Sequence, residues 1–262
     1  MKKKWLVLAM TMVMAVSSVG CSKSDNKVEK GNKVGGSLIV GQITDLTGDF
    51  ANGWANGSAD ADVKYLIAGY QTVTYTKEGT YEVDPTVVKN LDVKENEDGS
   101  KTFTFTLNEN LEYSNGLKIK AEDYVFSALI GSSPEFEALG AYATTGQPFV
   151  GYDEFYNGET KTFTGVRLLG DYEFSVTVKA DELPNFYEMA KVSLSPTPMS
   201  VYAPGVTLTD EGNGATLSDN FTTELIQGPV NEERFNPTVT SGPYKLESYD
   251  QASKHLFFLK RQ

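Results

Sequence analysis

The alternating segment 102–107, "TFTFTL", constrains the fold more strongly than any other stretch of this 262-residue chain. Successive side chains of a β-strand point to opposite faces, so this segment predicts a strand with one apolar face and one wet face. A second candidate strand precedes it, and Asp98-Gly99 stands between the two. Asp-Gly between alternating runs is a strong hairpin signal, because both turn positions need positive φ. The pattern therefore predicts a β-hairpin within residues 87–116.

Further strand signals occur along the whole chain. Apolar runs, period-two alternation and flanking turn residues are their common features. They predict strands over 36–43, 71–76, 166–169, 172–178, 244–249 and 254–260. Gly170-Asp171 joins the third and fourth of these into a second hairpin. The chain is thus predicted to be rich in antiparallel strands.

Three segments have helical signals. Apolar residues at helical spacing predict a short helix over 61–70. Residues 120–131 are predicted to form a second helix, with Glu122 and Asp123 in the first turn, where the helix dipole favours anions. Residues 182–192 suit a third. Loops are expected over 44–62, which is rich in turn-forming residues, and mostly over 209–236.

The single cysteine, Cys21, stands where an apolar run gives way to a polar segment. Three lysines near the start, an apolar run over 5–16 and small residues before the cysteine form the layout of an export signal. The run is shorter than the roughly 20 apolar residues that span a membrane. Gly20-Cys21 resembles the lipobox of bacterial lipoproteins, with Ser18 where leucine is usual. This resemblance implies a lipid on Cys21; the alternative is an ordinary signal peptide with an incidental thiol.

The segment after the cysteine, residues 22–36, is polar, lacks aromatic residues and ends in two glycines. Such a composition predicts a flexible tether. We therefore expect a signal peptide over 1–20, a tether over 21–36 and one folded lobe over 37–262. The expected location is extracytoplasmic, with the protein held on the cell membrane by its N-terminal lipid.

The charge balance is acidic, with 23 basic and 35 acidic residues. Loss of residues 1–20 would remove three lysines and no acidic residue, which leaves a net charge of −15. Phosphate binding needs a basic face, so nucleic acid is excluded as the expected partner. The acidic surface mainly implies solubility.

Four segments, in order, resemble the extracytoplasmic solute-binding proteins of the dipeptide and oligopeptide class, family 5, which serve ABC importers. They are 35–45, 84–129, 166–190 and 236–250. The chain departs from the family pattern at Tyr113, where Trp is frequent, at Asn115, where Asp is frequent, and at Lys120, where Thr is usual. Loss of a threonine N-cap at Lys120 costs about 1 kcal/mol.

The resemblance implies a mixed, strand-rich α/β fold of the periplasmic-binding-protein type. It further implies that the chain is the N-terminal lobe of a two-lobe clamp, whose second lobe would follow Gln262, so that the sequence is a fragment or comes from a truncated gene. Family members capture a solute, here most simply a peptide, in the cleft between the lobes and deliver it to permease subunits. Neither a cofactor nor a metal is implied.

In the family, the loop after the first strand faces the cleft. The candidate ligand-binding residues are Thr44, Asp45, Leu46, Thr47, Tyr142 and Thr145. Asp and Thr are also common turn formers, so a purely local role in the loop is the alternative interpretation.

Other classes of function remain as alternatives. An enzyme with a catalytic triad would have to use His255, the single histidine, and the sequence contains no G-x-S-x-G or H-E-x-x-H motif. We therefore expect no enzymatic activity. A surface lipoprotein with a structural or adhesive role is a second alternative. A third is a binder of a sugar, haem or a nickel complex.

Replacement of Cys21 by alanine tests the predicted anchor. Cys21→Ala removes the thiol that would carry the lipid, so the protein should move from the membrane fraction to the soluble extracytoplasmic fraction. Immunoblotting of fractionated cells measures this, with Ser22→Ala as the control that stays on the membrane. Equal membrane retention of both variants would rule the anchor out.

Overall fold

Strands and short helices alternate along the structure, a computed structural model that describes residues 36, 38–54 and 57–261. The strands within these residues are β1 (Val73–Tyr75), β2 (Tyr81–Val83), β3 (Val88–Glu95), β4 (Lys101–Leu107), β5 (Thr162–Phe163), β6 (Val166–Gly170), β7 (Glu173–Val178), β8 (Leu208–Asp210), β9 (Ala215–Leu217), β10 (Tyr244–Asp250) and β11 (His255–Lys260). The α-helices are α1 (Ser58–Ile67), α2 (Ala121–Ile130), α3 (Pro134–Glu137), α4 (Tyr152–Tyr156), α5 (Glu188–Lys191), α6 (Met199–Tyr202) and α7 (Thr223–Phe235). All of these elements belong to one compact unit, residues 42–262. The predicted mixed α/β class is confirmed.

The largest sheet is antiparallel, with the strand order β3-β4-β7-β6. β4 is central, and its Phe105 lies opposite Leu91 of β3 and Phe174 of β7. The apolar residues of β4 are at most 1% exposed, whereas its threonines are half-buried. The predicted alternation of faces is therefore confirmed.

Helix α2 packs its apolar residues against this sheet. The rings of Phe105, Phe174 and Tyr124 form a continuous stack, with centroid distances of 5.2 and 5.4 Å. Asp123 in the first turn accepts a hydrogen bond from the amide of Lys120 (2.9 Å), so it caps the helix start although the usual threonine is absent. The helix predicted over 120–131 is thus confirmed.

Three smaller antiparallel sheets complete the fold: β1-β2, β5-β9-β8 and β10-β11. The β10-β11 pair covers a second, smaller core that includes Phe50, Val63 and Ile67. The two strands predicted at the end of the sequence are confirmed. Among the described residues, no helix has the length and apolar character that a membrane crossing requires.

The β3-β4 hairpin forms where it is predicted, but the turn geometry differs. Gly99 has φ +83°, whereas Asp98 is not among the described residues with positive φ. The amide of Asn96 donates to Ser100 O (2.9 Å), and that of Gly99 donates to Asn96 O (3.0 Å). The expectation that both turn positions need positive φ is therefore wrong, because the connection is a five-residue loop with a single left-handed glycine.

The strand predicted over 36–43 is absent from the described residues of that range. Leu38, Ile39 and Ile43 are at least 87% exposed, and Val40 is 69% exposed. A strand needs a neighbour for its backbone groups, and an apolar run alone does not provide one. The prediction is wrong for this reason.

The helix boundaries also differ from prediction. α1 begins at Ser58, inside the predicted loop, and α5 covers only the end of the predicted 182–192 helix. The polar stretch expected to be mostly loop contains the 13-residue α7. Its start is capped by the hydroxyl of Thr222, which accepts from Leu225 N (3.3 Å), and its inward face buries Ile226 and Val230. Two buried positions four residues apart give too weak a periodicity to predict this helix.

Substitution of Gly99 tests the hairpin turn. Gly99→Val should lower the free energy of unfolding by about 1 kcal/mol or more, because a β-branched residue resists positive φ. Gly170→Val is the matched control, because Gly170 lies exposed at the end of β6 without positive φ, and an added Cβ there meets no atom within 4 Å apart from its chain neighbours. Its effect on the free energy of unfolding should stay within about 0.5 kcal/mol. Denaturant melts measure both; a Gly99→Val midpoint equal to wild type would contradict the turn.

Candidate functional site

Two adjoining cavities form one groove on the surface of the described residues. Their volumes are about 500 and about 320 Å³. Asn52, Ala68 and Ser195 line both cavities, so the two meet along these residues. We call the larger the outer cavity, the smaller the inner cavity, and the two together the groove. Ligand-binding pockets typically have volumes of this order.

One wall of the groove is the extended segment 193–198. Its even-numbered residues are buried, while Ser193, Ser195 and Thr197 are half-buried and line the inner cavity. Buried Thr72 holds the segment in place: its hydroxyl donates to Val192 O (3.0 Å) and accepts from the amide of Leu194 (3.0 Å). The wall therefore carries hydroxyl side chains at alternate positions, of which that of Ser193 donates to Val73 O (3.3 Å).

The facing wall is the segment that precedes β10, and it crosses the end of α1 at very short range. Gly242 N donates to Ile67 O (2.7 Å), and a Cβ on Gly242 would lie 2.5 Å from Leu66 O. Ser241 lines the inner cavity and bonds the backbone of Gly69 through its hydroxyl (3.0 and 3.2 Å). Only glycine permits so close a crossing, which explains why Gly242 stands in the sequence "SGPY".

The floor of the inner cavity comes from the C-terminal end of α2 and from α6 and α7. Ser127, Ile130, Tyr202 and Glu233 line it. Burial raises the pKa of Tyr202 and of Glu233 above their ordinary values. The floor therefore combines apolar surface with buried polar groups.

Asp123 lies behind the floor, next to the hydroxyl-lined wall. Its backbone oxygen accepts from Thr197 N (3.1 Å), and its carboxylate accepts from Met199 N (3.4 Å), so it holds the chain on both sides of Pro198. Burial raises the pKa of the Asp123 carboxyl to about 6, against an ordinary value of 3.8.

The lining of the groove is chemically mixed. Hydroxyl, amide and aromatic groups line it together with Lys64, Asp84 and Glu233, and His255 lies exposed on β11, outside the lining of either cavity. In the part of the chain that the structure describes, no three His, Cys, Asp or Glu side chains come together as metal ligands.

Of the predicted ligand-binding residues, Thr145 lines the inner cavity. Its amide donates to Gly131 O (2.9 Å), which sets it at the end of α2. Tyr142 is 63% exposed and does not line the groove, although its amide bonds Gly53 O (2.6 Å), and Gly53 does.

The predicted loop Thr44–Thr47 lies outside the lining of both cavities. The carboxylate of Asp60 holds it, by accepting from the amide of Thr47 (3.0 Å), the hydroxyl of Thr47 (3.0 Å) and the amide of Gly48 (3.1 Å). Thr44 Oγ1 lies 3.1 Å from Ser58 Oγ, Asp45 is exposed, and Leu46 is buried in the smaller core. Cys21 lies outside the described residues.

Sequence reasoning missed most of the groove lining. Asn52, Ser195 and Ser241 come from three loops that are far apart in the sequence. The proline pair in "SPTP" predicted only a connector, although proline-rich segments favour the extended backbone that forms this wall. No local pattern marks which loops come together.

A comparison with protein families gives one match that covers most of the chain. Residues 82–259 match the profile described as bacterial extracellular solute-binding proteins, family 5 Middle. A search of curated proteins gives no match.

Solved structures similar to this fold include oligopeptide-binding proteins. That of Borrelia burgdorferi superposes with a TM-score of 0.55 and 19% identity over 78% of this chain and 35% of its own. Listeria monocytogenes OppA bound to peptide superposes with a TM-score of 0.54 and 17% identity, over 79% of this chain and 35% of its own. Lactococcal OppA with an endogenous peptide superposes with a TM-score of 0.54 and 16% identity, over 77% of this chain and 34% of its own. At these identities the likeness shows the fold alone, and the chain spans about a third of their length.

Asp60 provides a test of how the Thr44–Thr47 loop is held. Asp60→Ala leaves three loop donors without their acceptor, which should lower the free energy of unfolding by about 1–3 kcal/mol. The control is Asp62→Ala, on the same helix, because exposed Asp62 accepts a single hydrogen bond from exposed Gln42. Its effect should stay within about 0.5 kcal/mol. Equal thermal melts for the two variants would show that Asp60 does not order the loop.

Proposed function

Because the chain belongs to family 5 of the bacterial extracellular solute-binding proteins, we propose that it captures peptides in the groove and passes them to the permease subunits of an ABC importer. The observation that carries this proposal is the coincidence of two findings. The family match covers residues 82–259, and the groove is open and lined by hydroxyl, amide and apolar groups. Nothing in the groove suggests a reaction on the solute.

The lining of the groove supports a peptide as the solute. Peptides of mixed sequence are best recognised through their main chain, by hydrogen bonds to extended protein segments, with room for different side chains. The segment 193–198 carries hydroxyl side chains at alternate positions, and Phe50 and Phe136 line the same cavity. The likeness to peptide-bound proteins in fold is consistent with this choice.

We further propose that the groove is one side of a cleft that closes on the solute. The chain spans about a third of the similar structures, so the rest of the cleft would come from a second lobe. Clamp proteins bury a solute between two lobes through a hinge motion. Attachment to the membrane through Cys21 would keep the clamp near its permease.

A substitution at the junction of the two cavities tests the proposal. Ser195→Trp places a large ring where the cavities meet, so it should weaken peptide binding at least tenfold, which is about 1.4 kcal/mol. The matched control is Ser200→Trp, because Ser200 is exposed on α6. The experiment incubates the complete protein with a random peptide library, identifies retained peptides by mass spectrometry and measures their affinity by calorimetry. Retention of no peptide would overturn the peptide assignment; equal binding by both variants would exclude the groove.

The requirement for a second lobe is tested with residues 22–262 alone. A single lobe makes only half of the contacts to the solute, and these contacts stay exposed to water. The loss of several hydrogen bonds of about 0.5–1.5 kcal/mol each should therefore raise a micromolar dissociation constant into the millimolar range. Calorimetry at roughly 100 μM protein should then detect no binding. Tight, saturable binding by this segment would contradict the clamp and favour a self-contained binding module.

A further inference from the structure

Two buried carboxylates, Glu233 and Asp123, lie at the inner end of the groove. Glu233 is 2% exposed and is the single Asp, Glu, Lys or Arg residue among the described residues that line the inner cavity. Asp123 is 7% exposed and lies one hydrogen bond behind the lining residue Thr197. Glu233 is therefore on the cavity itself, whereas Asp123 lies behind its wall.

Neither carboxylate has a cationic partner within the described residues. Their bonds come from neutral donors: Glu233 accepts from the hydroxyl and amide of Thr238 (3.0 Å for the amide), and Asp123 accepts from backbone amides. No lysine, arginine or histidine nitrogen in the described ranges lies within 4.0 Å of either carboxylate. Their negative charge is therefore not cancelled by an ion pair.

The titratable groups that act electrostatically on the two carboxylates carry no positive charge. Asp123 interacts electrostatically with Glu122, Tyr113 and Tyr124. Glu233 interacts in the same way with Glu232 and Tyr202. Each of these groups is neutral or negative at pH 7.

Two arginines also lie near the inner cavity. The guanidinium of Arg261 donates to Ser241 O (2.9 Å) and to Gly242 O (3.0 Å) on the facing wall, and Arg234 is paired with Asp49 (2.7 Å). Because the charge of Arg234 is balanced by Asp49, the two buried carboxylates outnumber the one remaining cation at the cavity.

We propose that the inner cavity selects solutes by charge, favouring neutral and cationic groups over carboxylates, and that Glu233 and Asp123 are its specificity-determining residues. This inference rests on the proposed function, since it assumes that the solute occupies the groove. A solute carboxylate placed there would meet the like charge of Glu233, with that of Asp123 behind the wall, and like charges that are buried in protein repel each other more strongly than they do in bulk water. A lysine side chain would gain from the same field. In the outer cavity, Lys64 and Asp84 are of opposite sign, so selection is expected at the inner cavity.

Neutralisation of Glu233 without a change of shape tests the proposal. The probes are three random pentapeptide libraries that each carry one fixed residue, Glu, Gln or Lys, and the complete protein is incubated with all three. Wild type should retain the Lys and Gln libraries about tenfold more than the Glu library. Glu233→Gln should reduce this ratio at least threefold. Glu224→Gln is the control, because Glu224 is exposed on the same helix and its loss changes the net charge equally.

The dependence on pH supplies a second measurement that needs no mutation. As the pH falls from 7 to 5, the Asp123 carboxyl passes through its pKa of about 6 and becomes neutral, so discrimination against the Glu library should shrink. The peptide glutamate, with a pKa of about 4.3, stays mostly ionised. Because the pKa of Asp123 lies above its ordinary value of 3.8, its protonation stabilises the fold as the pH falls, and unfolding through this group cannot cause the change.

The outcomes separate the inference from the proposed function. A Lys-to-Glu ratio near one in wild type, or a ratio that neither Glu233→Gln nor acidification changes, would overturn the charge selection while peptide capture stands. Retention of none of the libraries would overturn peptide capture, and the inference with it. Should Glu233→Gln melt well below wild type, Asp123→Asn and the pH series test the charge selection independently. A ratio that falls in the Glu233 variant, the Asp123 variant and at pH 5, but not in Glu224→Gln, supports the proposal.

Discussion

The ring stack of Phe105, Phe174 and Tyr124 is the contact on which the rest of the structure depends. It joins the two central strands of the main sheet to α2, and all three side chains are fully buried. The hydroxyl of Tyr124 then donates to Tyr70 O (2.7 Å), and Tyr70 lines the outer cavity. One buried stack therefore fixes both the core and the position of the groove. Stacked rings stabilise such a contact beyond the area they bury.

The parts of the fold that the sequence predicts are those with local signals. The alternation around Phe105 and the Asp-Gly dipeptide locate the β3-β4 hairpin, because strand period and turn chemistry act over a few residues. The error at 36–43 has the opposite origin, since Leu38 and Ile39 have the composition of a strand but no pairing among the described residues. α7 escapes prediction because its stability comes from burying Ile226 and Val230 against the rest of the unit, which the sequence does not display.

The groove is less predictable than the fold because its walls come from distant segments. Thr145 is the one predicted ligand-binding residue in its lining, and the Thr44–Thr47 loop lies elsewhere. The wall at Ser195 depends on a threonine more than 100 residues earlier, whose hydroxyl bonds the backbone on both sides of Ser193. Contacts between segments so far apart produce no periodic pattern in the sequence. The glycine of "SGPY" is the exception, since a close backbone crossing requires that residue type.

The shape and the charge of the inner cavity are not independent. Pro198 has no amide hydrogen, so the wall around it is held by its neighbours, and both of them bond Asp123. Glu233 holds the facing segment in the same way, through the amides of Thr238 and Val239 (3.0 and 3.4 Å). An apolar residue at either position would remove the buried charge, but it would also leave buried amides without acceptors. The groups that give the walls their form are therefore the same buried carboxylates on which the proposed charge selection rests.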